Sequence, residues 1–226
     1  ERLCALRGAQ WVRVQYLHPA SVSDDLIALL ARQPALCPYL DMPLQHISDR
    51  ILRSMRRPGA AWTRALLERL RATAPQLALR TTFITGYPGE TAREFRELCE
   101  CVRTIQFEHV GVFAYSREEG TRAYTMPGQV SRATALRRRA RVLLLQQEIS
   151  QAHNRRAVGA VLPVLIDTRD RDGRARGRRR IDAPDVDGTV HIAPHPACVP
   201  GAILPVRITR AGPYDLHGSC VIKESA

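Results

Sequence analysis

Lysine is almost missing from this chain: of 34 basic residues only Lys223 is one. The net charge of +12 is therefore carried by arginine, and it gives a modest hint of a ribosomal or RNA-rich neighbourhood. Also missing is any close set of cysteines. Cys4, Cys37, Cys99, Cys101, Cys198 and Cys220 are scattered, without the spacing that holds zinc or an iron–sulfur cluster. Cys99 and Cys101 fall inside a predicted helix, where residues two apart point to different faces, so no joint ligand role is expected. Reduced thiols in a cytosolic protein are the default. No run is long or apolar enough to span a membrane and no charged-then-apolar leader opens the chain, which predicts a soluble, cytoplasmic protein with no membrane partner. Aromatic side chains are few, and past Val158 the one aromatic is Tyr214, which weakens base stacking as a mode of recognition there. The chain begins at Glu1 rather than Met, and a fragment of a longer protein is expected.

What is present is organised around residues 80–90, Arg-Thr-Thr-Phe-Ile-Thr-Gly-Tyr-Pro-Gly-Glu. Leu77, Leu79, Thr81 and Phe83 alternate with Ala78, Arg80, Thr82 and Ile84, as in a mostly buried strand. Gly86 then frees the backbone, and Pro88-Gly89 suits the two central positions of a type II turn. Thr91 with Glu94 three residues on predicts a capping box and a helix start. A strand end facing a helix N-terminus is expected to offer free N–H groups and a positive dipole end to a carboxylate, a phosphate or an adenine edge. On spacing alone an ordinary βα loop is an equal reading.

Further strands are predicted over 11–17, 39–46 and 109–115, with helices between them. Strand alternating with helix four times implies parallel βαβ units, in a barrel or an open sheet. A long helix follows over 131–156, with Arg137, Arg138, Arg139 and Arg141 expected on a solvated face. From residue 158 the pattern changes to short alternating strands over 161–167, near Ile181, and over 189–193, 203–209 and 218–222. Five such strands predict a small OB-like β-barrel, with the arginine-rich run 169–180 as a loop or hairpin tip. The domains are read as 1–157 and 158–226.

Together these stretches resemble the radical S-adenosylmethionine (SAM) methylthiotransferases, and within them the RimO branch. The likeness rests on Tyr16-Leu-His-Pro19, on 41–52 (Asp-Met-Pro-Leu-Gln-His-Ile-Ser-Asp-Arg-Ile-Leu), on 79–91 and on 110–121. The C-terminal part is similar to the TRAM module through Gly177-Arg178, the run 182–188 and the run 214–219. The sister branch, which methylthiolates an adenosine in tRNA, typically has Gln-Ser-Gly at Gln45-His46-Ile47 and Arg-Pro-Gly-Thr at Glu118-Glu119-Gly120-Thr121.

The resemblance implies an α/β fold, the later strands of a radical SAM (β/α) barrel followed by an all-β TRAM barrel. It implies methylthiolation of an aspartate β-carbon in the decoding-centre protein of the small ribosomal subunit. The cofactors implied are SAM and two [4Fe–4S] clusters, one cleaving SAM to a hydrogen-abstracting radical and one passing sulfur. An electron donor is a further partner, with ribosomal RNA or tRNA beside it. The family's Cys-x3-Cys-x2-Cys loop is absent from this sequence, so no metal ligand and no catalytic residue is assigned, and the chain alone is expected to be inactive and to expose open sheet edges. Cofactor contacts are carried over to Gly86, Tyr87, Pro88, Gly89, Glu90, Tyr115 and Ser116 at strand ends, and to Arg13, Gln45, His46, Arg80 and Thr82 on strands aimed at the same mouth. For Arg13 an ion pair with Asp41 is an equal reading, and for His46 a hydrogen-bonded rim role is favoured over acid–base work. A tRNA adenosine substrate, or a non-catalytic RNA- or protein-binding module, are the alternatives.

Overall fold

The computed structural model describes residues 1–222, so Lys223 lies outside the described residues. The chain divides into two compact units, one of Glu1–Leu36 with Leu40–Gln146 and one of Cys37–Tyr39 with Gln147–Ala226.

In the first unit the elements run β1 (Val12–Val14), α1 (Asp24–Arg32), β2 (Leu36–Asp41), α2 (Asp49–Ser54), α3 (Ala60–Thr73), β3 (Ala78–Thr85), α4 (Ala92–Ile105) and β4 (His109–Ala114), and α5 (Arg132–Arg156) begins there. The sheet order is β1-β2-β3-β4, with β1/β2 and β3/β4 parallel. Local chemistry sets the helix starts. Ser23 Oγ accepts from the Leu26 N–H at 3.2 Å, and Asp24 and Asp25 occupy the first turn of α1, at the positive end of its dipole. At α4 the capping box is complete, and the helix stops at Gln106 in the left-handed region.

β3 buries Thr81, Phe83 and Thr85 on one face and leaves Arg80, Thr82 and Ile84 half-buried on the other. Its register with β4 sets Arg80, Thr82 and Ile84 beside His109, Gly111 and Phe113, so those six share a face. Gly111 keeps that face open, since a Cβ there would lie 3.3 Å from Thr82 Oγ1.

Two strands are shorter than the sequence suggested. β2 ends at Asp41 because Pro43 has no N–H to continue the ladder, and the chain rejoins the sheet through one parallel bridge, Gln45 to Phe83. Gln45 bends into that bridge at φ 69°, and β1 is confined to three residues.

The second unit closes a barrel in the order β5-β6-β7-β9-β8, from Val161–Arg169, Ala175–Arg179, Val190–Ile192, Leu216–Cys220 and Ile203–Ala211. Val164, Ile166, Val190, Ile192, Val206, Ile208 and Leu216 fill it. Its second strand lies inside the run expected to be a loop or hairpin tip, and not near Ile181. There the period is Ala175, Gly177 inward and Arg176, Arg178 outward, with only 170–174 turning between β5 and β6. The strand was hidden because its inward positions hold no apolar bulk: the Leu165 carbonyl occupies the place a Cβ on Gly177 would need.

Candidate functional site

The C-terminal ends of β2, β3 and β4 bring most of the sequence-predicted residues to one end of the parallel sheet. After β3, the Gly86 backbone turns at φ 78° against the first turn of α5. A Cβ on Gly86 would overlap that of Ala135 and lie 2.9 Å from its Cα, so glycine is required twice over, by conformation and by space. Thr85 Oγ1 donates to the Ala135 carbonyl at 3.0 Å and fastens the same contact.

Four of the N–H groups around this turn are already taken. Gly86 N–H donates to Glu90 Oε2 at 2.5 Å, Gly89 N–H to the Gly128 carbonyl at 2.7 Å, Glu90 N–H to the Tyr87 carbonyl at 2.9 Å and Thr91 N–H to Glu94 Oε2 at 2.9 Å. The anion on the Gly86 amide is thus the chain's own Glu90, and the capping box of α4 takes up the Thr91 and Glu94 N–H groups.

Behind this turn lies a buried polar cluster. The side chains of His46 and Glu90 are completely buried, 3.2 Å apart. His46 Nδ1 accepts the Ser48 N–H at 2.9 Å, so Nε2 carries the hydrogen and donates to Glu90 Oε1. Arg138 Nη1 donates to Glu90 Oε2 at 2.6 Å and to the Glu90 carbonyl at 2.9 Å. Beside it, Glu94 accepts from Ser48 Oγ at 2.8 Å and from Arg50 Nε and Nη2 at 3.0 and 2.7 Å. Burial pulls the Glu94 carboxyl up, but the hydrogen bonds from Arg50, Thr91 and Ser48 outweigh it and bring it down to about 2.

The remaining predicted residues sit around this frame. Gln45 donates its N–H to the Thr82 carbonyl at 2.8 Å and accepts from Ile84 N–H at 2.8 Å. Asp41 Oδ1 pairs with Arg80 Nη1 at 3.1 Å, and Asp41 Oδ2 accepts the Tyr16 N–H at 3.3 Å. Arg13 is half-buried on β1. Pro88 is buried, Gly89 half-buried and Ser116 exposed. Tyr87 and Tyr115 meet edge to face with ring centroids 5.6 Å apart. Tyr87 has a donor, Ser54 Oγ at 3.1 Å, whereas the Tyr115 hydroxyl is shielded from solvent with no hydrogen-bond partner. Burial pushes the Tyr115 phenol up, with Tyr87 adding to it, so the group is a neutral phenol carrying an unused hydrogen bond.

Sequence reasoning missed Arg138, Ser48 and Glu94. For Arg138 a signal was present: Ala135, Val142, Leu145 and Ile149 are buried at helical spacing, and Arg138 falls on their stripe. Cys37, Cys99, Cys101 and Cys198 are buried, and among the described residues no three metal-ligating side chains converge.

On the barrel a separate groove of about 780 Å³ is lined by Arg169, Arg174, Arg176, His191, His217 and Thr209, among others. His191 and His217 stack with centroids 5.0 Å apart, and Arg210 Nη2 lies 3.0 Å from His217 Nε2. Burial, helped by Arg210 and His191 and opposed by Asp215, holds the His217 imidazole below its usual value.

Residues 1–102 match the radical SAM superfamily and residues 158–221 the TRAM domain. The chain is 44% identical over 217 residues to ribosomal protein uS12 methylthiotransferase RimO of Desulforudis audaxviator, covering 96% of this chain and 48% of that protein. It is 45% identical to the RimO of Roseiflexus castenholzii, covering 98% and 47%. The chain therefore spans about half the length of the curated relatives it matches. Among solved structures it resembles Escherichia coli coproporphyrinogen III oxidase (HemN), a radical SAM enzyme, with a TM-score of 0.50 at 17% identity over 62% of this chain and 32% of that one, a likeness of fold alone.

Proposed function

The chain belongs to the RimO family of radical SAM methylthiotransferases, and from that premise we propose that it forms the later part of an enzyme that methylthiolates ribosomal protein uS12 at an aspartate β-carbon. The observation that carries the reading is the identity of 44% to a RimO across 96% of the chain. In support, the residues brought to the ends of β2, β3 and β4 lie at the C-terminal end of a parallel sheet, where α/β folds bind their ligands. Gly86, Tyr87, Pro88, Gly89, Tyr115 and Ser116 are assigned to hold SAM, with Gln45, Arg13, Arg80 and Thr82 completing the site and the buried side chains of His46 and Glu90 supporting it from behind the rim. SAM supplies, when bound, the hydrogen-abstracting adenosyl fragment and the methyl group. The chain's own part is to hold that cofactor in one orientation and keep water from the sheet face shared by Arg80, Thr82 and Phe113.

The residues present do not fit a [4Fe–4S] cluster. Among the described residues no three cysteine, histidine or carboxylate side chains come together to hold one. In this reading the cluster ligands of both centres, and the surface for the electron donor, belong to the half of the family's length that this chain does not span; the setting is the cytoplasm.

The test is mass spectrometry of uS12 from cells of the source organism with and without the gene. Loss of the methylthio group from one aspartate supports the reading. An unchanged uS12 together with loss of a methylthioadenosine from tRNA would replace it with the sister activity. A second reading, a binding module, is favoured by one observation, the arginine-lined groove of the barrel, which fits the phosphates of a single-stranded RNA.

A further inference from the structure

We propose that Arg138 is a positioning residue for the cofactor rim, acting with His46 through Glu90 to fix the turn at Gly86; this rests on the methylthiotransferase reading. Three donors converge on the Glu90 carboxylate from three elements: Gly86 N–H from the rim, His46 Nε2–H from the segment after β2, and Arg138 Nη1 from α5, at 2.5, 3.2 and 2.6 Å. The carboxylate is fully buried and the Arg138 side chain is 14% exposed, so water does not substitute for any of them.

Each partner is itself held in place. The Ser48 N–H fixes the His46 tautomer, so this imidazole has no acceptor to offer Glu90. Arg138 spans the carboxylate and the backbone carbonyl of the same residue, and its guanidinium lies 5.4 Å over the Phe95 ring. Arg139 Nε anchors the next residue of α5 to the Val112 carbonyl of β4 at 2.9 Å. The first half of the arginine-rich helix is thus a brace: Arg138 holds the carboxylate shared by the rim after β3 and the segment after β2, and Arg139 holds β4. None of these groups needs to touch the cofactor. What they decide is where the peptide planes of Gly86 to Gly89 stand, and misplacing such a rim weakens what it binds.

The arrangement also makes specific demands. Glu90→Gln is isosteric, yet it turns an NH2 toward a site where all three neighbours are donors. Arg138→Lys keeps the charge but one ammonium replaces a planar fork. Arg137, one residue earlier, is exposed and hydrogen-bonded to Thr134 Oγ1, which makes it the control.

The experiment uses the full native polypeptide, anaerobically reconstituted, with two readouts: equilibrium dialysis of SAM, and amide hydrogen exchange over residues 84–91. Exchange of α3, which lies in the same unit as the rim, reports whether a variant is folded. Arg138→Met is expected to raise the Kd for SAM about tenfold and to speed exchange at Gly86 by at least about tenfold, with α3 exchange unchanged. Arg138→Lys is expected to fall between Met and wild type, and Arg137→Met to match wild type. If Arg138→Met leaves both readouts within about twofold of wild type, or if Arg137→Met does equal damage, the proposal is overturned. Should Arg138→Met fail to fold, Arg138→Lys and Glu90→Gln carry the same two readouts. A wild type that binds no SAM sinks the methylthiotransferase reading instead, and exchange at Gly86 then decides the brace by itself.

Discussion

Replacing Glu94 with glutamine removes one charge and leaves the shape of the α4 capping box almost unchanged. In the folded chain the carboxyl titrates near 2, against 4.5 in an unperturbed chain, although burial works in the opposite direction. The hydrogen bonds that achieve this come from both ends of the rim: Ser48 and Arg50 from α2 and its N-cap, and the Thr91 amide and hydroxyl from the α4 start. By linkage that difference is worth about 3 kcal/mol at neutral pH. The sign follows from the direction. A depressed carboxyl stabilises the fold above its unfolded value and loses that contribution as pH falls through the folded one, so the window runs from 4.5 down to about 2. Glu94→Gln should therefore cost about 3 kcal/mol at neutral pH and about half of that near pH 3, where the wild type has given up much of its own advantage. Urea unfolding followed by tryptophan fluorescence isolates the right unit, because Trp11 and Trp62 both lie in the unit that holds Glu94. A stability gap that stays constant across that pH range, or one below about 0.5 kcal/mol at neutral pH, would refute the assignment of charge as the cause.

Two other outcomes follow from the same geometry. Gly86→Ala combines a left-handed backbone with overlap on Ala135, and should destabilise the fluorescent unit by about 2 to 4 kcal/mol in the same urea experiment, with Ala135→Gly relieving part of the loss. If the barrel groove binds single-stranded RNA through Arg169, Arg174 and Arg176, log affinity should fall with log salt at a slope of about −2, and Arg176→Ala should flatten it by about 0.7; a salt-independent interaction removes the RNA reading.

The parts of the fold that were legible in the sequence are those where a local rule acts alone. Ser23 before two aspartates, and Thr91 three residues ahead of Glu94, announced α1 and α4 because a cap needs nothing beyond its own turn. The alternation through β3 was legible for the same reason, since a strand with one face buried must repeat every two residues. β6 was not, because the period was there but the inward residues are alanine and glycine, chosen by how close β5 approaches and invisible without β5. β2 was overextended because the polar run after Asp41 still reaches the sheet, through Gln45, after Pro43 has ended the ladder.

The candidate site shows the same limit more sharply. A glycine turn before a helix reads as an open anion site when the residues are taken in order, and Gly86 to Glu90 has that order. Which anion fills it depends on a contact 48 residues away, between Glu90 and Arg138. Without Arg138 a buried carboxylate at that point would be too costly to keep, since one partner of a buried pair is worth several kcal/mol to the other. With it, the carboxylate satisfies the turn from inside. His46 and Glu90, the residues most tightly bound into this turn, are thus placed to set the position of the rim, and under the proposed function it is the other rim residues that would meet the cofactor.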